Sequence, residues 1–91
     1  MTPQFIFANL CADALRCVVA LEGNRVDMYQ DSLMRAYRTL GFLRHLGRPE
    51  AYEEGILMCR AVQLVKETRE FSQCKSALNI LCQQYSPLIT D

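Results

Sequence analysis

The hydrophobic and polar positions along this chain divide it into four helical segments. In the segment 3–22, apolar residues cover nearly the whole helical circumference, and only Asn9, Asp13 and Arg16 form a polar line, at spacings of four and three, that is expected to face water. A helix with so narrow a polar stripe must be buried on most of its sides. We therefore expect this helix to be central in the fold or to be shared with a second copy of the chain.

The second segment, 25–46, has a regular apolar seam in which spacings of three and four alternate, as in an amphipathic helix. The seam consists of Val26, Tyr29, Leu33, Ala36, Leu40 and Leu43.

The third segment, 49–67, begins at Pro49, a residue suited to the first position of a helix. Gly55 lies inside it, and a glycine there predicts a close crossing of two helices.

No glycine or proline separates the third segment from the fourth, so the phase of the apolar stripe decides whether they form one helix. Extended by heptad spacing, the stripe of the third segment would reach Arg69 and Ser72, but the observed seam resumes at Phe71 and Cys74. Two residues of slip rotate the stripe by about 200°. The sequence therefore predicts a break within 67–70.

The four segments predict a small all-α protein. Their connections are short, which favours antiparallel neighbours. The expected fold is a single domain, 1–91, forming an antiparallel four-helix bundle that dimerisation would complete if the first helix is shared. The predicted helices cover about 3–22, 25–46, 49–67 and 71–86.

Charge and cysteine content narrow the classes of protein. Ten basic residues balance ten acidic ones, so the strongly basic signature of a nucleic-acid binder is missing. No apolar run reaches the roughly 18 residues that span a bilayer, and the N-terminus lacks the basic region of a signal peptide.

The chain has five cysteines, an odd number; they form no C-x-x-C pair and lie in apolar segments. We expect reduced, buried thiols in a cytoplasmic protein without a membrane partner.

The chain contains few sets of residues that could form a catalytic site. His45 is the only histidine, and its position in the last turn of the second segment suits a cation at a helix end. Arg38 and His45 are seven residues apart, a spacing that resembles the arginine–histidine motif of HEPN-type ribonucleases; this resemblance implies that both residues would meet their symmetry mates across a dimer interface. The chain has neither a Glu-x-x-His metal motif nor a glycine-rich phosphate loop. We expect no catalysis, no cofactor and no metal.

Arginine placement points instead to binding. Residues 25–48 hold five arginines against two aspartates, whereas 49–70 hold five glutamates against three basic residues. Three interpretations remain open: a solvated face with pairs such as Asp31 with Arg35, an arginine-edged patch that faces an acidic partner, and a nucleic-acid contact.

The sequence therefore predicts a small protein–protein interaction module, an adaptor, chaperone or inhibitor, that binds a protein partner and is also expected to form a homodimer. The alternative is a self-assembling regulatory dimer that binds nucleic acid through the arginine-rich second helix. Because Phe5 and Phe7 point in different directions on a helix, at most one of them should lie in the core. The predicted partner-binding residues are Phe5, Phe7, Leu10, Val18, Arg35, Arg38 and Arg44.

Overall fold

The computed structural model describes residues 2–85, with side chains described for residues 2–83. Four helices follow one another in the order α1 (Pro3–Glu22), α2 (Val26–Arg44), α3 (Pro49–Thr68) and α4 (Phe71–Tyr85). The long dimension of the molecule is 37 Å, and a 20-residue helix is about 30 Å long. The four helices therefore lie side by side. The predicted all-α four-helix bundle is confirmed, and the predicted end of the fourth helix at Ser86 lies outside the described residues.

The ends of α1 follow from local chemistry. The Thr2 hydroxyl accepts a hydrogen bond from the Phe5 N–H at 3.1 Å and so caps the helix. Pro3 occupies the first turn, where backbone N–H groups have no partner within the helix, so the N–H that proline lacks costs no hydrogen bond. The helix ends at Gly23, and Asn24 takes the left-handed conformation with φ of 57°. Asparagine tolerates this conformation better than most residues, so the chain reverses here into α2.

The predicted break between α3 and α4 is confirmed at Arg69. This residue adopts a left-handed conformation with φ of 59°, and its N–H donates to the Val65 carbonyl at 2.8 Å. The Thr68 hydroxyl accepts a hydrogen bond from the Glu70 N–H at 3.3 Å. A left-handed residue at this position ends a helix, and the reversal brings the apolar stripes of α3 and α4 back to the same core.

Helix α1 is the centre of the bundle and packs against each of the other three helices. Half of its twenty residues are buried, which explains why its polar stripe is so narrow. By length and composition, it is also the one helix within residues 2–85 that could cross a membrane, although 56% of that window is buried inside the bundle. The core helix of a soluble protein and a signal sequence near the N-terminus both pass the same test, so the finding assigns no location.

Gly55 lies where α3 packs against both α1 and α2. A Cβ atom built on it would stand 2.6 Å from Leu40 Cδ1 and 2.8 Å from Leu10 Cδ2. Both leucines belong to the buried core. The predicted close crossing is therefore present, and the absence of a side chain at Gly55 lets the three helices approach.

Replacing Gly55 with valine should lower the free energy of unfolding by about 1–3 kcal/mol, because the added methyl groups overpack the core between two leucines. Gly41→Ala is the matched control, since a Cβ at Gly41 meets nothing within 4 Å. That helical site should gain up to about 1 kcal/mol from the better helix propensity of alanine. Urea unfolding followed by circular dichroism measures both, and an equally stable Gly55→Val variant would contradict the close crossing.

The cysteines depart from the sequence expectation. Cys11 of α1 and Cys82 of α4 form a disulfide, with Cα atoms 6.2 Å apart, so the expectation of reduced thiols was wrong for these two residues. They are 71 positions apart in the sequence, and only the packing of α4 against α1 brings them together. The remaining cysteines are free: Cys17 and Cys59 are buried, and Cys74 is half-buried.

Candidate functional site

Three of the predicted apolar contact residues lie in the core and not on the surface. Phe7, Leu10 and Val18 are all 0% exposed, so none of them can contact a partner while the bundle is folded. Their placement on a binding surface was wrong. Helix α1 is enclosed by the other three helices, and these apolar side chains pack against them in the core. Phe5 is 54% exposed, which confirms that only one of the two phenylalanines enters the core.

The predicted arginines divide between two surfaces. Arg35 and Arg38 lie one turn apart on α2 and face a groove that α2 forms with α1. Arg44 lies on another side of α2, where it and Arg60 both line a depression between α2 and α3. The structure therefore brings together two of the three arginines and separates the third.

The groove along α1 and α2, here called the α1–α2 groove, has an apolar end. This end has a volume of about 710 Å³ and is open to solvent. Val19 and Met28, which are 57% and 47% exposed, supply most of its accessible large apolar side chains. The apolar end is lined by Leu15, Arg16, Val19, Ala20, Gly23, Arg25, Met28, Asp31, Ser32 and Arg35.

The other end of the α1–α2 groove is polar, with a volume of about 270 Å³. It shares Arg16 and Arg35 with the apolar end, so the two form one continuous feature. From Arg25 to Thr39 the groove follows α2 for about 21 Å, or roughly four helical turns. The polar end is lined by Asn9, Asp13, Arg16, Arg35, Arg38 and Thr39.

Asp13 lies in the wall of this polar end. The sequence placed it on a water-facing line, which was wrong: the residue is only 6% exposed because α2 covers it. Its Oδ1 accepts a hydrogen bond from Arg16 Nη1 at 2.9 Å, and the Arg16 side chain is 60% exposed. One groove arginine is therefore already neutralised by an aspartate of its own helix.

Arg35 and Arg38 are not neutralised in this way. Among the residues whose side chains are described, neither forms an ion pair within 4.0 Å, and the predicted pair of Asp31 with Arg35 is not formed. Both guanidinium groups are exposed. An unpaired, multi-donor arginine head is well suited to a carboxylate from outside the chain.

The remaining reactive groups lie away from the α1–α2 groove. Burial raises the pKa of Cys17 to about 12 and that of Cys59 to about 11, so both thiols stay protonated and weakly nucleophilic at neutral pH. His45 is the residue at which α2 ends, is exposed, and lines neither end of the groove. Within residues 2–83, no three histidine, cysteine, aspartate or glutamate side chains are close enough to hold a metal ion.

Sequence reasoning missed Val19 and Met28, although a signal for the first was present. The polar line of α1 continues from Arg16 by a spacing of three to Val19, and both Arg16 and Val19 are exposed. An apolar residue that continues a polar stripe is a candidate for a contact with a partner. Nothing in the seam of α2 marks Met28.

The architecture defines the chain as a small all-α four-helix bundle with an arginine-edged groove on one helix pair. No protein-family model matches the chain, and no curated protein or solved structure is significantly similar to it.

Proposed function

We propose that this protein is a protein–protein interaction module that binds a protein partner through the α1–α2 groove and does not catalyse a reaction. The observation that carries the proposal is the pairing of exposed Val19 and Met28 with the unpaired Arg35 and Arg38 in one continuous groove. Exposed apolar side chains beside arginine are the composition that protein interfaces favour. An adaptor, a chaperone and an inhibitor would all use such a groove.

Binding would remove the apolar side chains from water and give the arginines external acceptors. Burial of apolar area supplies the favourable free energy, at about 25 cal/mol per Å². Charges at the edge steer the encounter and select the orientation more than they add affinity. Methionine suits such a surface because its flexible thioether adapts to different neighbours, and the Arg25 guanidinium already lies against Met28 Sδ at 3.4 Å.

The location of the protein is a separate proposal. A cytoplasmic location remains the proposal from the sequence, and it requires Cys11 and Cys82 to be reduced there, because disulfides persist in oxidising compartments and are rare in the cytosol. The redox state of this pair in the source cells therefore tests the location.

The binding proposal is tested by affinity capture from the source cells with matched charge variants. Arg35→Glu with Arg38→Glu reverses the two groove charges, and Arg44→Glu with Arg60→Glu makes the same charge change in the depression between α2 and α3. We expect at least one protein to be captured by wild type and by the control pair but to be lost from the groove pair. Quantitative mass spectrometry measures this pattern.

Two outcomes would overturn the proposal. If wild type and the groove variant capture the same proteins in the same amounts, the groove is not the binding surface. If the captured material disappears after nuclease treatment and binding weakens steeply with salt, the partner is a nucleic acid, as in the regulatory-dimer alternative. Circular dichroism spectra of both variants establish that the exposed substitutions leave the fold intact.

A further inference from the structure

We infer that the partner segment in the α1–α2 groove is an amphipathic helix whose N-terminal turns carry carboxylates and whose later turns carry large apolar side chains. This inference rests on the proposed protein-binding function and adds the chemistry and the direction of the occupant. It is derived from the length of the groove and from the separation of its polar and apolar ends.

The length and shape of the groove fit a helix. Two neighbouring helices leave between their ridges a channel into which a third helix packs, and partner helices in such grooves place anchors at i, i+3, i+4 and i+7. The distance of about 21 Å from Arg25 to Thr39 matches a partner of about fourteen residues. An occupant of that length would contact both ends of the groove at once.

Charge complementarity selects acidic residues for one end of the partner. The polar end is lined by three arginines and one aspartate, and that aspartate already pairs with Arg16; the apolar end adds Arg25 and Asp31, one charge of each sign. Arg35 and Arg38 therefore leave an uncompensated positive charge at the polar end. Glutamate or aspartate carboxylates of the partner would accept hydrogen bonds from both guanidinium groups.

The separation of the two ends sets the spacing within the partner. Met28 and Arg38 are ten positions apart on α2, which corresponds to about 15 Å along the helix axis. The carboxylates and the apolar anchors of the partner therefore lie two to three turns apart on one face. Leucine or methionine side chains would fill the space beside Val19, Leu15 and Met28.

The direction of the partner follows from its own helix dipole. Acidic residues stabilise the N-terminal turns of a helix and destabilise its C-terminal turns. A helix with its carboxylates at Arg35 and Arg38 therefore begins at the polar end and runs toward Gly23. In this direction it is parallel to α1 and antiparallel to α2.

The test uses a synthetic helical peptide of about fourteen residues, with glutamates in its first turns and leucines in its last turns on the same face. Binding to the full chain is measured by fluorescence anisotropy and by the methyl NMR signals of Val19 and Met28. We expect these signals to shift, and we expect about tenfold weaker binding when the glutamates are replaced by glutamines. Replacing the leucines with alanines should abolish binding, and reversing the order of acidic and apolar turns should weaken it.

Exchanging the charges of the groove and of the peptide tests the proposed charge pairing most directly. The variant with Arg35→Glu and Arg38→Glu should prefer a lysine version of the peptide, whereas Arg44→Glu with Arg60→Glu should keep the preference for glutamate. Equal binding of the glutamate and lysine peptides to wild type, or shifts confined to other surfaces, would overturn the inference. If the groove variant loses a captured protein but no peptide binds, the proposed function stands and the acidic-helix partner is wrong.

Discussion

Replacing Phe7 with aspartate will unfold the bundle, with loss of the helical circular dichroism signal at room temperature. The Phe7 side chain is 0% exposed and lies on α1, the helix that packs against all three others. Deleting a buried phenylalanine ring costs about 3–5 kcal/mol. Burying an unpaired carboxylate in its place costs several kcal/mol more. Together these costs are comparable to the whole stability of a typical small domain, about 5–15 kcal/mol.

Phe5 supplies the matched control for this substitution. It lies two positions away on the same helix, and its side chain is 54% exposed. Phe5→Asp should change the free energy of unfolding by no more than about 0.5 kcal/mol, as surface substitutions usually do. Phe7→Ala should leave a folded protein that unfolds at distinctly lower urea concentration. A Phe7→Asp variant with wild-type stability would show that Phe7 is not a core residue.

Reducing the Cys11–Cys82 disulfide should lower the free energy of unfolding by about 2–4 kcal/mol. In the chain-entropy model, a crosslink stabilises by restricting the unfolded chain, and its effect grows with the length of the closed loop. The loop here joins residues 71 positions apart. The effect on α4 should be large, because Leu78 is its only fully buried side chain among those described.

Urea unfolding with and without a dithiol reductant measures this contribution. Wild type should lose stability on reduction, whereas Cys82→Ala should start at the reduced value and show no further change. Cys74→Ser is the control, since Cys74 lies on the same helix and is free; this variant should respond to the reductant as wild type does. Equal stability of oxidised and reduced wild type would show that the disulfide contributes nothing.

Alkylation of the unfolded chain counts the thiols independently. Without reductant three cysteines should be modified, and with reductant all five. In the folded protein Cys74 should react first, because burial leaves Cys17 and Cys59 inaccessible and raises their pKa values to about 12 and 11. Five modified thiols in protein alkylated directly in its source cells would support the cytoplasmic proposal, and three would contradict it.

The helices could be predicted from the sequence because their signals are local. The two-residue slip of the apolar stripe placed the break that Arg69 makes, although no glycine or proline marks it. These features depend on helical periodicity alone, which the sequence carries directly.

The remaining features depend on which helices are neighbours, and this information is not local. A nearly uniform apolar helix such as α1 does not reveal which of its faces meets another helix, so Phe7, Leu10 and Val18 were assigned to the surface. The pairing of Cys11 with Cys82 required knowing that α4 packs on α1. Asp13 was assigned to solvent for the same reason, since only the position of α2 explains its burial.

The Cys11–Cys82 bond also changes the covalent topology of the molecule. It closes residues 11–82 into a ring that contains all three connections between helices, 23–25, 45–48 and 69–70. A protease that cuts once in any of these connections opens the ring but does not release a fragment. The nicked protein keeps its mass, apart from one added water, until the bond is reduced. The chain can therefore be cleaved in any of its connections between helices and still hold together as one molecule.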